Sequence, residues 1–137
     1  MIPKEAIYQK EEHQLTKRNI VHIEIPAADT AKAAQFYQVL FGWKTTRDET
    51  MNYTMWEPAD GPGGGFSPLG EQVKPGDVVI YIDSDDIEAD LKQVVKLGGT
   101  VISPKSEIPG VGWFGMFKDP TGNTIAVYTS KNPEYNK

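Results

Sequence analysis

A repeat with a period of 57 residues is the feature of this sequence that most restricts its fold. Shifting the chain by that interval places Asp29 on Asp86, Leu40 on Leu97 and Gly42 on Gly99. The two segments share few identities but the same order of patterns: an alternating apolar stretch, an acidic residue, an amphipathic stretch, a glycine and further short apolar stretches. Such a repeat indicates two copies of one supersecondary unit.

The first copy opens on a strand with two different faces. His22 and Glu24 alternate with the apolar residues Val21, Ile23 and Ile25, and a period of two is typical of a β-strand. If the apolar residues pack beneath helices, the two polar side chains face the opposite side of the sheet. By the same parity Asp77, Val79 and Tyr81 face that side in the second copy. From the last strand Thr124, Ala126 and Tyr128 join them.

A helix is predicted after each of these strands. In the first copy Asp29 or Thr30 can cap it, and Gly42 supplies a left-handed end. The predicted core-facing stripe consists of Ala33, Phe36, Tyr37 and Leu40. Its spacing of three and four residues is that of one helix face. In the second copy the apolar residues Ile87, Leu91, Val94 and Val95 predict the equivalent stripe, which ends at Gly98 and Gly99.

Short β-type stretches follow each helix, so each copy reads β-α-β-β-β. The copies span about residues 19–67 and 77–130, with residues 68–76 as a linker. Residues 119–123, Asp-Pro-Thr-Gly-Asn, predict a tight turn between the last two strands. Residues 104–112 are interpreted as a loop, either a lid over a cavity or an ordinary surface loop. The fold class is therefore α+β, with a mixed sheet.

Composition limits the classes of function. The sequence contains no cysteine, which excludes disulfides, thiolate metal sites and a cysteine nucleophile. A net charge of −5 without a basic cluster disfavours nucleic acid as a partner. No apolar stretch approaches a membrane span, and residues 1–18 are charged and lack the apolar core of a secretory signal. We therefore expect a cytoplasmic protein whose first 18 residues form an arm, either a short helix or a partly disordered segment.

Several motifs resemble one known superfamily. Residues 22–29, Phe36-Tyr37 and residues 40–43 are similar to the opening of glyoxalase/bleomycin-resistance/dioxygenase proteins of the vicinal-oxygen-chelate superfamily. Residues 117–125 resemble the Asp-Pro-x-Gly-Asn turn of that family. Residues 104–112 are similar to a loop of the subgroup related to lactoylglutathione lyase. The resemblance implies two modules forming a cupped mixed sheet with helices on the convex side. It also implies a cavity for a small molecule, and homodimers.

The same resemblance implies a divalent metal site with four ligands, a His or Gln, a Glu, a His and a Glu. His22 matches the first ligand, whereas residues 64–66 offer no carboxylate for the second. The third position is Val79, or Asp77 if the alignment is shifted, and the fourth is Ala126. A metal ion held by His22 with Asp77 would be weakly bound, because a Lewis-acid site needs several protein ligands. Glyoxalase I activity is therefore not expected.

Two interpretations of His22 remain open. It is either a polar residue that lines the cavity, hydrogen-bonded to Glu24 or to a tyrosine, or a metal ligand or general base acting with Glu24. His13 lies in the charged arm and is interpreted as a surface residue. Aromatic residues near the predicted strands either bind a flat organic ligand or belong to the core. They are Tyr53, Trp56, Phe66, Tyr81, Trp113, Phe114 and Tyr128.

Two functions follow as hypotheses. The first is a glyoxalase-related enzyme, a lyase, isomerase or dioxygenase, with His22 and either Glu24 or Asp77 as its polar centre. The second is a protein of the bleomycin-resistance kind, which sequesters an aromatic or cationic compound without chemistry. The incomplete ligand set favours the second hypothesis, and the sequence leaves enzymatic activity open.

Overall fold

A computed structural model describes residues 17–71 and 73–131. The predicted arm up to residue 16, including His13, lies outside the described residues. The described strands are β1 (Ile20–Pro26), β2 (Lys44–Asp48), β3 (Tyr53–Glu57), β4 (Gly64–Ser67), β5 (Val79–Asp83), β6 (Thr100–Ile108), β7 (Gly112–Lys118) and β8 (Thr124–Ser130). The described helices are α1 (Thr30–Phe41) and α2 (Ile87–Lys96). Among these residues neither helix is long and apolar enough to span a membrane.

The strands form one mixed sheet in the order β2-β3-β4-β1-β5-β8-β7-β6. Each module contributes one half of this sheet, and the halves meet where β1 and β5 pair antiparallel. Ile23 pairs with Ile80 at this junction, and these residues are separated by the 57-residue period of the repeat. A local twofold relation between the modules therefore passes through this pair. The predicted α+β class and the two tandem modules are confirmed.

Both helices pack on the same side of the sheet. Ile23 and Ile25 of β1 contact the core cluster that contains Ala34 of α1. Ile82 of β5 packs with Leu91 of α2. Alternate residues of these strands share a face, so this side is called the helix-covered face and the opposite side the helix-free face.

The predicted helix ends are confirmed by the backbone geometry. The Asp29 carboxylate accepts a hydrogen bond from the Lys32 amide at 3.0 Å. Asp86 accepts one from the Ala89 amide at 3.0 Å, the same contact one repeat later. Gly42 follows α1 with φ of +73°, in the left-handed region that glycine adopts without steric cost. Each helix therefore starts from a carboxylate cap, as the repeat predicts.

The predicted stripe of α1 is wrong at two positions. Phe36 is 58% exposed and Leu40 is 57% exposed, so both point away from the sheet. The helix instead contacts the sheet through Ala33, Ala34 and Tyr37. Spacing alone did not separate these two stripes, because α1 is apolar on both sides.

Residues 104–108 belong to a strand and residues 109–111 form a short turn, so the lid interpretation is wrong. Strand β6 continues to Ile108 and pairs with β7, with Glu107 opposite Trp113. The register shifts between Ser103 and Ser106, which accommodates Pro104 in the strand. Because β6 is the last strand of the sheet, a proline without an amide hydrogen is tolerated there.

The turn predicted between β7 and β8 is confirmed. The Asp119 carboxylate accepts hydrogen bonds from the backbone amides of Thr121 at 2.9 Å and Asn123 at 3.0 Å. These bonds, the one from Asn123 foremost, lower the pKa of Asp119 to about 2. The carboxylate therefore stays ionised and bonded over the ordinary pH range.

Gly64 is expected to be required for the pairing of β1 with β4. A Cβ atom at this position would lie 1.7 Å from the backbone oxygen of Ile23. This oxygen cannot shift, because it belongs to the backbone of a paired strand. We expect Gly64→Ala to lower the free energy of unfolding by about 2 kcal/mol or more. Urea unfolding measures it, with Gly70→Ala as the control, because nothing lies within 4 Å of a Cβ there. Equal losses in the two variants would contradict this account of the strand junction.

Candidate functional site

A group of four side chains lies on the helix-free face where the two modules meet. It consists of His22, Glu24, Tyr53 and Tyr81, called here the central cluster. His22 pairs with Tyr81 and Glu24 with Val79, on either side of the Ile23–Ile80 pair. The pairing of β1 with β5 thus brings residues far apart in sequence into one place.

Hydrogen bonds connect three members of the central cluster. The Tyr53 hydroxyl donates to Oε2 of Glu24. Nε2 of His22 lies 2.8 Å from the same hydroxyl oxygen and 3.5 Å from Oε2 of Glu24. The phenol therefore lies between an imidazole and a carboxylate and contacts both.

Tyr81 completes the central cluster from the second module. Its ring meets the His22 ring edge-on, with 5.2 Å between the ring centroids. The Glu24 carboxylate lies close enough to its hydroxyl to raise the pKa of Tyr81, after the larger effect of burial. Glu24 thus accepts a hydrogen bond from Tyr53 and lies beside the Tyr81 phenol, and only 15% of its side chain is exposed.

Burial and the charge of Glu24 keep both phenols protonated. Burial is the larger cause that raises the pKa of Tyr53 and of Tyr81, followed by the negative charge of Glu24 and the hydrogen bond to it. A protonated phenol donates its hydrogen bond to the carboxylate.

The missing side chain of Gly65 makes room for Tyr53. Gly65 is the β4 neighbour of Glu24 on the helix-free face, and a Cβ atom there would lie 1.8 Å from the Tyr53 hydroxyl oxygen. The phenol from β3 therefore passes over Gly65 to reach β1. Sequence reasoning did not assign this contact to Tyr53. A tyrosine on the strand before a glycine strand was the available signal.

An apolar floor adjoins the central cluster on the side of the second module. Its buried residues are Val79, Tyr81 and Ala126, and its partly buried residues are Val21, Phe114, Met116 and Tyr128. Val21 was expected beneath the helices, and that expectation is wrong. Ile20 pairs with Ile82 while His22 pairs with Tyr81, so Val21 is an extra residue in β1 and the alternation shifts there.

The seven predicted aromatic residues divide between the two faces. Tyr53, Tyr81, Phe114 and Tyr128 lie on the helix-free face, in the central cluster or the apolar floor. Trp56, Phe66 and Trp113 lie on the helix-covered face. Trp56 stacks on Trp43 with 4.3 Å between ring centroids, and Phe66 is 1% exposed beneath α1. Trp56 and Phe66 occupy the core, whereas Trp113 is partly buried against Ile87, Leu91 and Val127.

The side chains present do not fit a divalent metal site of the kind that the resemblance implies. Val79 and Ala126 are buried carbon side chains, and the hydroxyl of Tyr53 covers Gly65. Asp77 is exposed, and its carboxylate accepts a hydrogen bond from the Lys74 amide. It lies four residues before Tyr81, about 13 Å along the strand direction, so the structure does not bring it to His22. Among residues 17–71 and 73–131 no three His, Cys, Asp or Glu side chains form a group for a metal ion.

The His22 side chain keeps 30% of its surface exposed on the helix-free face. Hollows of about 360, 500 and 560 Å³ lie elsewhere, beside Val94 of α2, beside Val39 of α1 and beside Asp77. His22 lines none of these three hollows. Within the central cluster the Glu24 side chain is 15% exposed and Tyr81 is buried, so His22 offers the more accessible of the two titratable side chains from β1.

The two raised tyrosine pKa values predict an alkaline titration. The unfolded phenols ionise near pH 10, so the stability contributed by these phenols is complete below that pH and is lost as the pH rises towards the folded values. In a spectrophotometric titration, Tyr53→Phe should remove one late-ionising tyrosine. Glu24→Gln should lower the pKa of Tyr53 and Tyr81, because it removes the charge and leaves the burial. An unchanged titration in Glu24→Gln would contradict the assigned contacts.

Comparisons with known proteins agree with this fold. The model of the Glyoxalase/Bleomycin resistance protein/Dioxygenase superfamily matches residues 19–127. A glyoxylase-like domain-containing protein of Didymella fabae is 35% identical over 115 residues, which cover 78% of this chain and 90% of that protein. The anthracycline biosynthesis protein DnrV of Streptomyces peucetius is 27% identical over 129 residues, and the chain spans only 44% of its length.

A solved superfamily member from Vibrio splendidus 12B01 has the same fold, with a TM-score of 0.60 and 14% identity. The match covers 83% of this chain and 100% of the Vibrio protein. Sequence match and fold thus agree over nearly all of the described residues. The chain belongs to the glyoxalase/bleomycin resistance protein/dioxygenase superfamily.

Proposed function

We propose that this protein binds a small, partly aromatic organic molecule on its helix-free face without a divalent metal ion. The polar group of the molecule contacts His22 in the central cluster, and its apolar body lies on the apolar floor. The observation that carries the proposal is the direct contact between a hydrogen-bonded polar group and an apolar surface, both centred on Tyr81.

The sheet register gives the size of the proposed ligand. His22 pairs with Tyr81, Tyr81 with Ala126, and Ala126 with Met116, so four strands present one row of side chains. Strands lie about 4.8 Å apart, so this row is about 14 Å long. Phe114 pairs with Tyr128 in the next row, which widens the apolar part. A molecule of two or three fused rings matches these dimensions.

The name of one relative supports an aromatic ligand. The protein from Streptomyces peucetius is named for anthracycline biosynthesis, and anthracyclines are polycyclic aromatic compounds with hydroxyl groups. Its similarity extends over 77% of this chain. A flat ring system with a polar edge is the shape that the central cluster and the apolar floor accommodate together.

Homodimerisation is part of this proposal, because a ligand on the partly exposed His22 side chain would keep one side in solvent. Binding sites for small molecules usually bury most of the ligand surface. A second copy of the chain covering the helix-free face would supply the missing wall. Ultracentrifugation with and without ligand tests whether the copies associate.

Acid–base catalysis is the second candidate function. It is favoured by the connection of His22 through Tyr53 to Glu24, because an imidazole oriented by a second group is a recurring catalytic arrangement. Exchange of a ligand proton or turnover of the ligand would distinguish an enzyme from a protein that only sequesters.

Metal titration tests the part of the proposal that excludes a divalent metal ion from the site. We expect no stoichiometric binding of Ni²⁺, Zn²⁺ or Mn²⁺ by calorimetry, because the central cluster offers one imidazole and one carboxylate, those of His22 and Glu24, and both contact Tyr53. Metal analysis of protein purified without chelator should agree. Stoichiometric binding that is lost in His22→Ala would contradict the proposal and support a metal-dependent enzyme.

Ligand titration tests the part of the proposal that places an aromatic molecule on the helix-free face. We expect 2-naphthol to bind the native protein, and Phe114→Ala to weaken binding about tenfold through lost apolar contact. Phe36→Ala is the matched control, because Phe36 lies on the outer side of α1 and is 58% exposed. Chemical-shift mapping locates the bound probe. Perturbations confined to the helix-covered face would overturn the proposed site.

A further inference from the structure

We infer that the ligand donates a hydrogen bond from a phenolic or enolic hydroxyl to Nδ1 of His22, and that Tyr53 imposes this preference. The inference rests on the proposed function, since it names the chemical class of ligand for the same site. It follows from the direction of the hydrogen bonds in the central cluster.

The single hydroxyl proton of Tyr53 determines that direction. Tyr53 donates this proton to the Glu24 carboxylate, which can only accept. The 2.8 Å contact between the Tyr53 oxygen and Nε2 of His22 must then be donated by the imidazole. Neutral histidine carries one ring proton, so a proton on Nε2 leaves Nδ1 as an acceptor.

Nδ1 of His22 is available for a ligand. Among residues 17–71 and 73–131 it has no hydrogen-bond partner, and it is not one of their buried unpaired atoms. The His22 side chain keeps 30% of its surface exposed on the helix-free face. A ligand on this face therefore meets an accepting nitrogen.

The donors of the central cluster are already engaged. The Tyr53 hydroxyl donates to Glu24, and Tyr81 is only 9% exposed beside the same carboxylate. A ligand that carries only acceptors, such as an ether or a ketone, finds no unengaged donor there. A ligand hydroxyl would donate to His22, His22 donates to Tyr53, and Tyr53 donates to Glu24. The carboxylate of Glu24 is the final acceptor of this series.

Tyr53 acts in this account as a positioning residue. It contacts His22 and Glu24 and sets the tautomer of the imidazole. Tyr81 is the matched comparison, because its ring meets the His22 ring edge-on and, among the described residues, its hydroxyl makes no hydrogen bond to His22. Removing each hydroxyl in turn separates the effect on His22 from a general effect on the cluster.

The tautomer is tested by long-range ¹H–¹⁵N spectra recorded at about pH 8.5, above the ordinary histidine range. The sequence has two histidines, so His13→Gln leaves only the signals of His22. We expect the proton on Nε2 in the native protein and in Tyr81→Phe. In Tyr53→Phe we expect a mixture of tautomers. A dominant Nδ1 proton in the native protein would overturn the inference.

The ligand class is tested with 2-naphthol and its methyl ether, 2-methoxynaphthalene. We expect the naphthol to bind about tenfold more tightly, a typical difference for one hydrogen bond. In Tyr53→Phe the ratio should fall towards one, whereas Tyr81→Phe should retain it. Equal binding of both probes, each weakened in Phe114→Ala, would overturn this inference and leave the proposed function intact. Binding of neither probe would reject the proposed function and the inference with it.

Discussion

The antiparallel pairing of β1 with β5 at Ile23 and Ile80 is the interaction on which the rest of the molecule depends. It joins the two modules into one sheet and places equivalent residues of the repeat opposite each other. Because the twofold relation passes through this pair, the residues directly before and after Ile23 and Ile80 lie next to one another on the same face of the sheet. His22, Glu24, Val79 and Tyr81 therefore meet because the repeat exists. The site is a direct consequence of the way in which the two copies pair.

The two copies have diverged at these converging positions. The first module supplies the polar residues His22 and Glu24, whereas the second supplies Val79 and Tyr81, which face the apolar floor. A symmetric frame thus carries an asymmetric surface, polar on one side of the junction and apolar on the other. This asymmetry supports the proposal of one ligand with a polar edge and an apolar body.

Most of the fold could be predicted from sequence because it depends on local patterns. The strand alternation, the caps at Asp29 and Asp86 and the turn at Asp119 each depend on a few neighbouring residues. The predictions fail where the position of a residue depends on a contact with a residue far away in the sequence. The extra residue at Val21 exists only in relation to β5, and the exposure of Phe36 depends on which side of an apolar helix meets the sheet.

The candidate site was predictable only in part for the same reason. Parity placed His22, Glu24 and Tyr81 on one face, but it could not assign Tyr53, whose role depends on the absence of a side chain at Gly65 on another strand. Trp56 and Phe66 look like ligand-binding residues in sequence, because composition alone does not distinguish a core aromatic from an exposed one. Their stacking beneath α1 is a tertiary property.

Glu24 shows why the central cluster is complete without a cation. A carboxylate that is only 15% exposed loses much of its hydration and needs partners that stabilise its charge. In a metal centre the ion would provide them, whereas here the Tyr53 hydroxyl donates a hydrogen bond and the Tyr81 phenol and the imidazole of His22 lie beside the carboxylate. Each phenol is protonated because it is buried next to that charge, so carboxylate and phenols stabilise one another's state. The carbon side chains of Val79 and Ala126 and the position of Tyr53 above Gly65 therefore give this face a chemistry that does not depend on a metal ion.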